Sequence, residues 1–141
     1  MDNEQIFSIA GLVAMAGWVA LLLAPLRRGP LILAARVIGV ILALTYALLM
    51  ALNWGQGEGG FGSLAEVAQL FASPEILLAG WIHYLAFDLW VGAWAAERAP
   101  RDGVPHWALI PCLALTFLFG PIGLLLFLAV RCGFGAVKKT A

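Results

Sequence analysis

Two side chains able to move protons stand inside otherwise apolar sequence, His83 and Asp88. Imidazole titrates near neutral pH, and a carboxyl group can deliver or remove a proton. An ionisable group inside a bilayer costs about 2.5–3.5 kcal/mol on insertion scales, so it needs a partner or a role. Arg36 is a third such group. If the two apolar stretches that carry them are antiparallel, Arg36 lies roughly 8 Å and Asp88 roughly 10 Å below the same membrane face at helical rise. The matching depths predict a structural ion pair between Arg36 and Asp88. Two roles compete for Asp88. One is a charge that fixes helix register; the other is a proton donor or acceptor working with His83 as a catalytic pair.

His83 falls close to the bilayer midplane. Thr45, Tyr46, Tyr84 and Thr116 fall at similar depth and form a polar layer. Hydrogen bonds between membrane helices contribute about 0.6 kcal/mol each on average, which is the plain reading of that layer. The other reading makes these four residues, with Trp81, a binding surface for a substrate. The six Trp and eight Phe residues supply flat apolar area that packs helices, faces lipid, or lines a groove for a long flat lipid. No metal site is expected. His83 and Asp88 diverge by about 140° around a regular helix, and His106 lies roughly 17 Å from the level of His83. Cys112 and Cys132 sit in one apolar segment; on a continuous helix they are roughly 30 Å apart, beyond disulfide reach. The motifs G-x-S-x-G, Walker A, C-x-x-C and H-E-x-x-H do not occur, so no soluble-enzyme chemistry is indicated.

The elements that must position these residues follow from composition. The chain has 141 residues, 63% hydrophobic and 11% charged, with a formal net charge of zero. A soluble domain carries about 25% charged residues. A water-exposed globule of this composition would show large apolar patches, and disorder needs the opposite composition. Zero net charge offers no field for nucleic acid. The expected fold is all-α: an integral membrane four-helix bundle, one transmembrane domain over residues 1–141. A spanning helix needs roughly 20 apolar residues, and four fit, at about 6–23, 31–52, 75–95 and 106–130. Ser63 and Glu66 match a capping box and start a short amphipathic surface helix at about 64–72, between spans two and three. Pro74 suits a first helical position. Pro121, between Gly120 and Gly123, predicts a kink in the fourth span.

Charge sets the orientation. Arg27, Arg28 and Arg36 flank the first turn, and Arg98 and Arg101 lie in the third connection, whereas the second connection has Glu58 and Glu66 but no basic residue. The positive-inside rule places the first turn and third connection in the cytoplasm and the N-terminus outside. Asp2 and Glu4 precede the first span without a basic residue, so that span reads as retained, not as a secretory signal. Four complete crossings leave Arg131, Lys138 and Lys139 outside, against the rule. A sharp break at Gly120–Pro121–Gly123 would return the tail to the cytoplasm, but about 25 apolar residues suit one tilted crossing, which is the expectation.

The run 64–97 and the run 111–127 carry a surface helix, the W-I-H-x-x-x-x-D core (Trp81, Ile82, His83, Asp88) and a P-I-G break (Pro121, Ile122, Gly123). In these the chain resembles the abscisic-acid-deficient-four-like family, strongly over 64–130. Plant members act in neoxanthin formation from violaxanthin in chloroplasts; bacterial members are small membrane proteins. The resemblance implies a carotenoid or similar polyene as ligand or substrate, and no cofactor is assigned. Opening an epoxide to an allene is an isomerisation without net redox, and His83 as base with Asp88 as its orienter or as acid suits that chemistry. The short chain without a transit peptide reads as bacterial, placed in an inner membrane. The partners expected are the lipid bilayer, a carotenoid and other membrane proteins. The alternative is a non-catalytic pigment-binding or scaffolding subunit of a larger, for example photosynthetic, membrane complex.

Overall fold

The computed structural model describes residues 2–55 and 58–140, with side chains through 135. Six helices form among the described residues, and local signals start most of them. Asp2 caps α1 (Asn3–Leu22) by accepting the Gln5 amide at 2.8 Å, while Gln5 Oε1 accepts the Asp2 amide at 3.1 Å. The tight turn at Pro25 leads to α2 (Arg28–Asn53). Ser63 Oγ accepts the Glu66 amide at 3.2 Å and opens α3 (Leu64–Leu70). The Glu66 carboxylate completes the cap one residue earlier than a standard capping box, accepting the Gly62 amide at 3.0 Å. Ser73 caps α4 (Pro74–Arg98), with Pro74 in the first turn, where its missing N–H has no helical partner to lose.

Helices α1, α2 and α4 are long and apolar enough to cross a membrane, with mean hydropathies of 1.9, 2.3 and 1.4 in their most apolar stretches. Among them α4 is central, packing against α1, α2 and the two helices that follow it. Small residues let these helices approach closely. Ala10, Ala14, Ala35, Ala79, Ala93 and Ala96 are buried in the core, around Trp18, Leu21, Ile82 and Leu89. The outward faces carry exposed apolar side chains such as Leu12, Leu33, Leu44, Leu48 and Phe87. Such a surface suits acyl chains, not water.

The expected fourth span is two helices. It divides into α5 (His106–Phe119) and α6 (Pro121–Thr140), joined at Gly120. Gly120 has φ +47°, a left-handed conformation that stops α5, and Pro121 starts α6. The chain then reverses instead of kinking. Arg131 Nε of α6 lies 3.0 Å from Asp102 Oδ2 in the loop before α5. Phe134 packs edge-on against Trp107 at 6.2 Å, near the start of α5. At the turn, a Cβ on Gly123 would lie 2.1 Å from the Thr116 amide nitrogen, so only glycine lets the two arms close. A 14-residue α5 reaches roughly 21 Å at helical rise, short of the ~30 Å hydrocarbon core. The four-span expectation is therefore corrected to three long apolar helices and an α5–α6 helical hairpin. Summed apolar length concealed a turn that depends on contacts distant in sequence.

Candidate functional site

The hairpin tip meets α4 at Asp88. A Cβ on Gly120 would stand 2.6 Å from Asp88 Oδ1, so the carboxylate rests on the turn itself. Asp88 Oδ2 is buried and has no hydrogen-bond partner among the described residues. Asp88 lies ten residues before the end of α4, roughly 15 Å in at helical rise, and fourteen from its start, roughly 21 Å. That is midway along a membrane-length helix. The first turn of α6 begins beside it, and the partial positive charge of a helix N-terminus favours a carboxylate there.

Tyr84 stands one turn before Asp88 on the same face of α4. Its hydroxyl donates to the Leu118 carbonyl at 3.1 Å, near the end of α5. Trp81 continues this face: its ring stacks on Tyr84 at 5.5 Å and 25°, and meets Phe7 of α1 at 5.7 Å. Trp81 is exposed and Tyr84 partly buried. Asp88, Tyr84 and Trp81 thus form a strip that runs from the hairpin tip toward the acidic end of the bundle. One carboxylate, one phenol and one indole lie along it.

Other predicted residues lie elsewhere. His83 and Asp88 occupy different faces of α4, as their five-residue spacing dictates. The His83 ring is exposed, edge-on to Tyr46 of α2 at 5.2 Å and stacked on Phe87 at 4.6 Å. Tyr46 therefore belongs with His83 and not with the strip. The Thr45 hydroxyl donates to the Ile41 carbonyl at 3.0 Å, back to its own helix. Thr116 is 2% exposed and donates to the Cys112 carbonyl at 2.8 Å; its side chain packs against Gly123 and so shapes the hairpin turn. Cys112 and Cys132 are free, the first buried and the second exposed.

The Arg36–Asp88 ion pair does not form. Arg36 instead pairs with Glu97, and its guanidinium lies 5.9 Å from the Trp90 ring centroid. The physical reason is the side of α4 that each residue occupies: Arg36 of α2 reaches the side that carries Trp90 and Glu97, whereas Asp88 rests against the hairpin turn at Gly120. His106 also gains a partner the sequence did not indicate: Nε2 lies 3.0 Å from the Leu22 carbonyl, tying the start of α5 to the end of α1. Among the described residues no group of three or more His, Cys, Asp or Glu side chains converges to hold a metal ion.

The family model described as ABA DEFICIENT 4-like matches residues 5–127. The chain belongs to the ABA DEFICIENT 4-like family. The match runs from the first turn of α1 through α5 and the hairpin turn into α6, and covers the whole Asp88–Tyr84–Trp81 strip. No curated protein and no solved structure matches the chain. Arg131 and the rest of α6 beyond Phe127 lie outside the matched region.

Proposed function

We propose that this chain is a small integral membrane protein that binds a carotenoid-like polyene along the Trp81–Tyr84–Asp88 strip and isomerises it there. The observation that carries the reading is the Asp88 carboxylate oxygen, buried halfway along a membrane-length helix with no hydrogen-bond partner among the described residues. Such a group is expensive in apolar surroundings unless a ligand uses it. Membership of the ABA DEFICIENT 4-like family supports a polyene as that ligand.

The chemistry needs two proton carriers and no electron carrier. Opening an epoxide to an allene breaks a C–H and a C–O bond and forms an O–H bond. Asp88 takes the carbon-bound proton, and the Tyr84 hydroxyl supplies a proton to the departing oxygen. Transfer of the proton from Asp88 to the Tyr84 phenolate restores both groups. Positioned acid–base groups contribute about 10²–10⁴-fold each. Trp81 offers a flat face for the conjugated chain. In this assignment His83 is not the base, because its ring lies on another face.

A second reading has its own observation. The exposed His83 and Phe87 rings stack on each other, with half-buried Tyr46 edge-on to His83, and offer an aromatic surface suited to docking against pigment or a membrane partner. On that reading the chain is a pigment-binding or scaffolding subunit.

Host-membrane pigment analysis separates them. Asp88→Asn should reduce the pigment conversion by about 10²-fold or more while the protein still accumulates. Loss of complex assembly with unchanged pigment chemistry would favour the subunit reading. A deletion strain with unaltered pigments, and a purified protein free of polyene absorption, would remove support from both.

A further inference from the structure

The opposite, basic end of the bundle holds a second site, independent of the polyene reading. A cavity of about 380 Å³ opens there between α2 and the end of α4, lined by Arg28, Arg36 and Arg101 with Glu97, and walled by Ile32, Leu33 and Pro100. Three guanidiniums face one carboxylate. Glu97 is shared by Arg36 and by Arg101, the latter at 3.4 Å. Among the described residues Arg28 has no carboxylate partner: Nη2 donates to the Ala96 carbonyl at 2.9 Å, and the buried Nε has no hydrogen-bond partner. Other nearby charge is already engaged, since Asp102 pairs with Arg98 and Arg131. The cavity therefore has unmatched positive charge and unused N–H donors, the requirements of a phosphate group.

We propose that this cavity binds the phosphate headgroup of an anionic phospholipid. The apolar wall decides between a lipid and a soluble phosphate. From Leu33 the exposed residues Val37, Ile41 and Leu44 continue along one face of α2 toward the middle of the bundle, at helical spacing. A headgroup held by the arginines would leave its acyl chain lying on that track. Soluble phosphate would have no use for it.

The test is a titration of the purified full-length protein in detergent, reading the thermal unfolding midpoint. Phosphatidylglycerol is one arm, phosphatidylcholine the second and millimolar inorganic phosphate the third. Phosphatidylglycerol should raise the midpoint saturably, and the other two should not. Arg28→Gln and Arg101→Gln should each weaken the phosphatidylglycerol effect by about fivefold, the contribution of one basic side chain near an anionic lipid. Arg101 is 67% exposed at its side chain, so its replacement tests the site without threatening the fold. Arg27→Gln, outside the cavity, should change the effect less than twofold. Equal stabilisation by phosphatidylcholine would overturn the proposal, as would unchanged binding by the Arg101→Gln protein. Full reproduction of the shift by inorganic phosphate would replace the lipid with a soluble anion. Losses in Arg27→Gln as large as in Arg28→Gln would reduce the site to diffuse attraction.

Discussion

Asp88 and His83 are both ionisable, both on α4 and five residues apart, yet their surroundings give them different work. Asp88 rests against Gly120 with a buried oxygen lacking a hydrogen-bond partner among the described residues, while His83 lies exposed against Tyr46 and Phe87. His83→Gln keeps a polar side chain but removes titration. It should leave pigment conversion within about twofold of wild type, against the large loss expected for Asp88→Asn. Equal losses in the two variants would return His83 to the catalytic step. Asp102 carries a different prediction, about pH. The Arg98 hydrogen bond and the nearby Arg131 and Arg101 charges hold its carboxyl below the ordinary 3.8, outweighing partial burial. A depressed folded pKa contributes stability that is present above the unfolded value and lost as pH falls through the folded one. Asp102→Asn should therefore melt lower than wild type at about pH 5, and the gap should close below about pH 3. A gap that persists in acid would mean the residue acts by shape and not by charge.

At the scale of elements, the hairpin turn is the most demanding contact in the fold. Gly123 faces the Thr116 amide with no room for a methyl group, and Gly120 adopts a positive φ beside Asp88. Gly123→Ala must push α5 and α6 apart, so it should cost about 3 kcal/mol, the upper end for overpacking. A thermal melt of the purified variant measures this, and a near-neutral result would show that the arms do not close as described. The sequence revealed what is local. Asp2, Ser63, Ser73 and Pro74 announce their helices because a cap needs only the next three residues. It concealed what is distant. Matching depth pairs Arg36 with Asp88, but depth says nothing about the side of α4, and Asp88 turns to Gly120 while Arg36 meets Trp90 and Glu97. The strip of Trp81, Tyr84 and Asp88 could be listed from helical spacing, but Gly120 as the floor of the site could not. The reversal at Gly120 left two traces, the Gly120–Pro121–Gly123 run and three basic residues stranded on the wrong side of a four-span bundle, and neither told a kink from a full turn.

For the whole molecule, the hairpin resolves that conflict. Arg27, Arg28, Arg36, Arg98, Arg101 and Arg131 all gather at one end through the α1–α2 turn, the α4–α5 loop and the Arg131–Asp102 pair. Lys138 and Lys139 follow Arg131 on the same helix. Asp2, Glu4, Glu58, Glu66 and Glu75 occupy the other end, where Asn3 Nδ2 donates to Glu75 Oε1 at 3.3 Å. A chain with three crossings and this polarity obeys the positive-inside rule with every basic residue on one side. Three crossings predict the N-terminus and the tail on opposite sides of the membrane, whereas four crossings would place them together. The native cysteines supply the assay. Cys132, exposed on α6, should react with a membrane-impermeant maleimide from the cytoplasmic side only, and Cys112, buried in α5, should not react. Arg101→Cys, in the loop before α5, should label from the same side as Cys132, and a cysteine at Glu4 from the opposite side. Labelling of Cys132 together with the Glu4 position would mean that α5 and α6 cross the bilayer as one span. It would also remove the mid-membrane turn against which Asp88 rests, and with it the geometry of the proposed site.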